Sequence, residues 1–267
     1  MQAWKLESDK YNDSSYLVTY TPVFNEESYT EFHLNPNGAH LLLSESYFTF
    51  KVDLPDAVVP DNFFADMLFE NVSISVNNHI VTIKISEVDY GLSSYMLNRT
   101  NMTESSLKST GALKGYFGPE NYGSFTMKAD TINKDSSGAV TSVTHSKETT
   151  HRRKYAEKIT HNGKTYFRYY LLTKINSGIV LSGQPLPKEV PVKIRFNRAE
   201  AKKALIGTYI EGTKVLETYG KSFIDLIDPE INACYIQSSH YDQKLNERNI
   251  PRFKFKFNDY GIHRLVY

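Results

Sequence analysis

Apolar and polar residues alternate along much of this chain, and a period of two predicts strands. In "YTEFHLNPNGAHLLLSESYFTFKVDLP", Phe32 and Leu34 stand between polar neighbours and "NPNG" supplies a turn. Phe48, Phe50, Val52 and Leu54 then share one face, with Tyr47, Thr49, Lys51 and Asp53 on the other. A strand of that kind has one dry and one wet side. "FENVSISVNNHIVTIKISEVDY", residues 69 to 90, reads as a hairpin with Val72, Ile74 and Val76 inward and Val81, Ile83 and Ile85 returning. Asn77-Asn78 tolerate the left-handed backbone that a tight reversal needs. Asn162-Gly163 marks a second hairpin, Val192, Ile194 and Phe196 a further inward face, and "RFKFKFN" sets Phe253, Phe255 and Phe257 against Lys254 and Lys256.

The period changes in two places. "FFADMLFE" predicts a short helical turn or apolar bridge, and Leu92, Met96 and Leu97 recur at helical spacing with Gly111 as a stop. Residues 1–28 are polar and read as an arm holding one strand, "YLVTYTPVF". Residues 111–163 are poor in aliphatics and predict a long loop or loosely paired hairpins, which is uncommon unless the segment acts at a surface. The sum is about eight to ten strands with one or two short helices, the pattern of a β-sandwich or jelly roll.

Composition agrees with that pattern. The 267 residues include 19 Tyr and 15 Phe, side chains that suit pleated, half-buried surfaces. Lys and Arg total 31 against 30 for Asp and Glu. That balance lacks the basic stripe of a chain that wraps nucleic acid. The basic run His151-Arg152-Arg153-Lys154 reads as a solvated loop, with contact to a genome or an acidic neighbour as the sharper alternative. Cys234 is the single cysteine, so no internal disulfide framework exists, and its apolar neighbours predict a buried, inert thiol. No stretch approaches the ~18 apolar residues of a membrane span, and no signal-type apolar region opens the chain. The sequons at Asn12, Asn71, Asn98 and Asn101 read as chance without a secretory signal.

Catalytic spacing is absent. His33, His40, His79, His145, His151, His161, His240 and His263 form no pair at metal-ligand spacing and read as exposed turn histidines. "GYFGPENYG" has the glycines of a phosphate loop but neither flanking element, and Glu26, Glu27, Glu31, Asp225 and Asp228 are scattered. The reading is of no enzyme, with no catalytic residue, no metal ligand and no cofactor. Tyr166, Phe167, Tyr169 and Tyr170 could stack a base or sugar, but they read first as core on one face and subunit contact on the other.

The order "SYTEFHLNPNGAHLLLSESYFTFKVDLP", "VVPDNFFADMLFENVSISVNNHIV" and "SEVDYGLSSYMLNRT" resembles the N-terminal jelly roll of double jelly-roll major capsid proteins. The likeness is to those of the Polinton/Maverick and adintovirus-like group, in the adenovirus-hexon-type lineage. "LPKEVPVKIRFNRAEAKKALI" and "DLIDPEINACYIQSSHYDQKLNERNIPRFKFKF" resemble later strands of that family. Asn77-Asn78 stands where the family usually has Asn-Gly, and the chain stops where a second jelly roll should be getting under way.

The resemblance implies an all-β fold: an eight-stranded antiparallel jelly-roll β-sandwich with one or two short helices and a long inserted loop. A partial second β unit follows. The expected divisions are an arm at 1–28, the jelly roll at 29–206 with the 111–163 insertion as a tower or intersubunit loop, and a further β segment at 207–267. The implied role is structural, in a viral or virus-like shell. The partners would be copies of the chain itself, as homotrimers forming pseudo-hexameric capsomers, together with penton and minor capsid proteins. Sequence-specific nucleic-acid binding and a membrane span are not expected. The place is the virion, after synthesis in the host cytoplasm and assembly in cytoplasm or nucleus. The rival reading is a jelly-roll module of spike or lectin type that binds a carbohydrate or receptor.

Overall fold

The computed structural model describes residues 14–35, 37–56, 58–80, 90–117, 131–176, 180, 183, 185–207, 209–211, 214–216 and 223–237. The first part of the chain forms β1 (Ser14–Tyr20), β2 (Phe24–Asn25), β3 (Tyr29–Leu34), β4 (His40–Pro55) and β5 (Val58–Pro60). After these come α1 (Phe64–Met67), β6 (Phe69–Val76), β7 (His79–Ile80), α2 (Tyr90–Asn101) and α3 (Glu104–Thr110). Next are β8 (Thr131–Lys134), β9 (Val140–Thr144), α4 (Lys147–Arg153), β10 (Glu157–His161) and β11 (Lys164–Lys174). The chain continues through β12 (Val192–Arg198), β13 (Leu205–Gly207), β14 (Tyr209–Glu211), β15 (Lys214–Leu216) and β16 (Ile227–Gln237).

Two antiparallel five-stranded sheets make the body, ordered β1-β16-β4-β11-β10 and β2-β3-β12-β6-β7. Remove the flanking β10 and β2 and eight strands remain, four to a sheet. The chain passes between the sheets as β1, β3, β4, β6, then stays for β7, and returns through β11, β12 and β16. That succession is a jelly roll. The fold class expected from the sequence is therefore the one observed. Two of the eight strands, β1 and β16, lie outside the 29–206 span expected for the sandwich. β16 sits between β1 and β4 because Ile231, Ala233 and Tyr235 alternate inward and close the first sheet's core face.

Register turns the sequence alternation into rows. In the second sheet Phe32, Ile194 and Ile74 stand side by side, and Leu34, Val192 and Val76 form the next row. In the first, Phe48, Phe50, Val52 and Leu54 face inward beside Thr173, Leu171, Tyr169 and Phe167. The layers meet through phenylalanines: Phe48 stacks on Phe196 with ring centroids 4.5 Å apart, and Phe32 meets Phe48 edge-on at 5.4 Å. Phe69 completes the cluster against Phe50 at 5.8 Å. Such pairs add to the stability that burial alone supplies.

Turn chemistry fits the backbone. Asn77 and Asn78 have φ of 49° and 63°, and Asn162-Gly163 has 49° and 71°, as two-residue hairpin turns require. The returning Val81, Ile83 and Ile85 lie outside the described residues, as does "RFKFKFN". Within the segment expected as a loop, β8 and β9 pair as a hairpin, and β10 pairs with β11. Helix α4 was not anticipated there; Ser146 starts it by accepting the Thr149 N–H at 3.1 Å.

The α1 region is the tightest joint. Gly115 has φ +76°, and a Cβ on it would lie 2.7 Å from Phe64 Cβ and 2.8 Å from Phe64 N. Both the conformation and the space exclude a side chain. Gly115→Ala should therefore cost at least ~2 kcal/mol, read as a lowered urea midpoint with an unchanged m-value. A midpoint equal to wild type would show that this close approach does not hold in solution.

Candidate assembly surface and the network beneath the helices

The outer face of the first sheet carries its chemistry in cross-strand pairs. Arg168 and Asp53 stand opposite each other on β11 and β4, and the guanidinium donates from Nε and an Nη to both carboxylate oxygens at 2.8 Å. That fork holds the Arg168 pKa above its ordinary value. One row along, Tyr170 is opposite Lys51. Tyr170 donates to Glu157 Oε2 at 2.7 Å, and Lys51 lies over its ring while donating to Asp228 Oδ2 at 2.7 Å. The hydrogen bond from Lys51 lowers the Asp228 pKa and raises that of Lys51. Asp228, at φ 46°, occupies an irregular step in β16 that lets its carboxylate reach across the sheet.

The aromatic run has its expected core face. Tyr169 is buried in the core, whereas Tyr170 is half exposed and tied down by Glu157 and Lys51.

The basic run corrects the expectation of a solvated loop. It forms the last turn of α4 and the residue after it. Arg152 is 4% exposed and donates to the Pro60 carbonyl at 2.8 Å and to Asn62 Oδ1 at 3.3 Å. Arg153 pairs with Asp56 and lies 4.5 Å from the centre of the Phe167 ring. Arginine is suited to this burial because its fork can satisfy carbonyls while its plane covers an aromatic ring. Nothing in residue order predicts it, since the acceptors lie far back in the chain.

Histidines also divide. His79 and His161 are exposed beside their turns as expected. His40 is buried, and His151 Nε2 is 3.0 Å from the Phe117 carbonyl, so neither is an exposed turn residue. His33 bonds Glu31 at 2.7 Å. His240 and His263 lie outside the described residues. Among the described residues, no group of three or more His, Cys, Asp or Glu could hold a metal ion. Cys234 is buried as expected, and that burial pushes its thiol pKa up.

A polar network that sequence reading missed lies under α2. The expected apolar stripe points outward, with Leu92 and Met96 exposed, while Tyr90, Ser94 and Asn98 turn inward. Gly91 is the cause: a Cβ there would lie 3.0 Å from Met67 Cα, so only glycine lets α2 approach α1 this closely. The inward face covers Asp66, which is fully buried. Thr173 donates to one of its carboxylate oxygens and Asn98 to the other at 2.5 Å, while Lys114 donates to Asn98 Oδ1 at 2.8 Å. Asn176 reaches Ser94 with its side chain and the Tyr90 hydroxyl with its backbone N–H at 3.2 Å.

Burial pushes the Asp66 pKa from 3.8 up to about 6, against the opposing pull of Thr173, Lys114, Ser94 and Asn98. Burial likewise lowers the Lys114 pKa, with Asp66 pulling it back up. The site can bind a proton. Its visible role is to fasten the helices to β11.

With this geometry in place, the class is a jelly-roll β-sandwich, and the proteins it is similar to in fold are viral. No protein-family model and no curated protein matches the sequence. The chain superposes on a chain of the Sputnik virophage solved by cryo-EM with a TM-score of 0.55 and 11% identity, covering 95% of this chain and 51% of that one. It superposes on the Faustovirus major capsid protein with a TM-score of 0.52 and 8% identity, covering 90% of this chain and 57% of that one. The chain thus spans a little over half the length of these structures. At these identities the likeness shows a shared fold. No described helix is long and apolar enough to cross a membrane.

Proposed function

We propose that this chain is a structural subunit, or the jelly-roll part of one, of a viral or virus-like shell. Its lineage would be that of double jelly-roll major capsid proteins, and the finer assignment is the Polinton/Maverick and adintovirus-like group. The observation that carries the proposal is the complete eight-strand succession, matched in fold over 90% of the chain to a major capsid protein. Residues 14–237 act as one jelly-roll body. The insertion between β7 and β11, with its helices and the β8–β9 hairpin, serves as the tower or intersubunit element. Copies of the chain associate as trimers with a pseudo-hexameric outline in the virion, contacted by penton and minor capsid proteins, after synthesis in the host cytoplasm. Catalysis forms no part of this reading.

A rigid β body suits such a role, because symmetry repeats each weak contact many times. The outer-face pairs also support it over a sugar-binding module: Tyr170, the half-exposed ring that the rival reading would have stack a ligand, is engaged by Lys51 and Glu157. Light scattering behind size exclusion, with negative-stain microscopy, tests the proposal. Trimers or larger regular particles are the expected result. A monomer that persists at high concentration overturns it.

A further inference from the structure

Two glycines crowd three short pieces of chain around Asp66. Gly91 lets α2 close on α1, and Gly115 seats the 3-10 turn Gly111–Lys114 against Phe64. From the end of that turn the Lys114 amine reaches α2, where Nζ donates to Asn98 Oδ1 at 2.8 Å. On the other side of the same amide, Asn98 Nδ2 donates to Asp66 Oδ2 at 2.5 Å. A lysine amine, a side-chain amide and a carboxyl group therefore touch in that order. An ordinary ion pair would set the amine on the carboxylate; here the amide stands between them.

The surroundings favour chemistry between these groups. Asp66 and Asn98 are buried, and Phe63, Leu107 and Tyr116 form an apolar cluster on the same elements, with Tyr95 and Met102 packed against it. Desolvation lowers the Lys114 pKa, although Asp66 pulls it back up. An amine in such a place gives up its proton more readily, and the neutral amine is the nucleophile. Its target is near, because the amide carbon lies one carbonyl bond, ~1.2 Å, behind the oxygen it already touches. With both groups held by the fold, a local swing of the lysine stem replaces a chance encounter.

We propose that Lys114 and Asn98 join in an intramolecular isopeptide bond, with Asp66 as the proton carrier. Lys114 Nζ, as the neutral amine, attacks Asn98 Cγ. Asp66 passes a proton from Nζ to Nδ2, which it already contacts, and the Cγ–Nδ2 bond breaks. One C–N bond forms and one is lost. The products are a secondary amide and ammonia, and no oxidant, cofactor or further reactant is needed. The reaction happens once per chain, so it is a maturation step and not turnover. It closes a covalent loop around α3, fastening α2 permanently to the turn seated on Phe64, and Asp66 remains buried beside the new amide. The inference goes beyond the shell-subunit reading and does not rest on it.

Mass spectrometry of the full chain, purified folded and incubated at neutral pH, tests the bond. The intact mass should fall below that of the sequence by about 17 Da, one ammonia. After trypsin, residues 85–99 and 109–128 should appear as one branched species joined from Asn98 to Lys114. Lys114→Arg keeps the cation but cannot form the amide, and Asp66→Asn keeps hydrogen bonding but cannot carry the proton. Both should show the full mass and separate peptides, with the circular dichroism of the wild type. The wild-type measurement decides the bond by itself should either variant fail to fold. Wild type at its full sequence mass, with the two peptides separate, overturns the proposal. So does a loss of ammonia confined to a linear peptide, such as the one holding Asn162-Gly163. A branched species in Asp66→Asn at the wild-type level overturns the role given to Asp66. None of these outcomes alters the light-scattering test of the shell reading.

Discussion

Ile74→Asp should leave this protein unable to fold, while Ser73→Asp, one residue away, should fold and melt close to wild type. Ile74 is 0% exposed and sits in the middle row of the second sheet, between β12's Ile194 and the core rings of the first sheet. The described residues about that position, Ile194 across the ladder and the core cluster, are apolar. The cost of burying it unpaired, added to the lost apolar contact, is at least ~5 kcal/mol and matches the whole stability of an ordinary domain. Ser73 faces the other way and stands opposite Arg195, so an aspartate at 73 gains an opposite charge across the ladder. Far-ultraviolet circular dichroism and urea unfolding of the two variants give the answer. A normally folded Ile74→Asp would mean that the inward face of β6 has been assigned to the wrong residues.

The second large effect is on pH dependence. Asp66 has its pKa raised from 3.8 to about 6 by burial. Between those values the folded chain holds a proton that the unfolded chain has released, so stability falls as pH rises through this window. The full benefit is present below about pH 4 and is gone above about pH 6; the displacement corresponds to about 3 kcal/mol. The ionisable groups coupled to Asp66 are Lys114 and Tyr90, with Lys174 acting on Lys114.

Asp66→Asn isolates the effect. An amide can still accept from Asn98, and its NH2 can donate to the Thr173 hydroxyl, but it does not titrate. Urea unfolding at pH 4.5 and 7.5 should show wild type losing more stability with rising pH than the variant, by about 2 kcal/mol. Other carboxylates change by the same amount in both proteins and cancel. Parallel pH profiles for the two would show that Asp66 does not exchange its proton in this range.

Strand faces were legible in the sequence because each follows from its own alternation. Phe48, Phe50, Val52 and Leu54 could be assigned inward from eight consecutive letters, and the structure buries all four. Asn77-Asn78 and Asn162-Gly163 were legible for a similar reason: the backbone angles of a two-residue turn are demanded locally. The α2 face was not. Leu92, Met96 and Leu97 give an apolar spacing, yet the choice of face fell to Gly91, whose missing side chain lets Met67 and Phe69 approach. The small polar positions Gly91, Ser94 and Asn98 recur every three or four residues, and that was the available signal. Recognising it requires knowing that a carboxylate lies on the other side. Arg152 escaped for the same reason, since its acceptors at Pro60 and Asn62 are more than eighty residues away in sequence.

What the sequence by itself determined is the set of two-faced strands, their turns and the absence of linear catalytic spacing. These depend on interactions within a few residues, where side-chain period and backbone preference act directly. What only the tertiary structure decided is the partnership among distant pieces: β1 and β16 completing the first sheet, the basic run turning inward, and Asp66 gathering Thr173, Asn98 and Lys114 about a buried charge. Pairing energies between segments far apart in sequence depend on which surfaces are brought together, and that is fixed only when the two sheets close on one another.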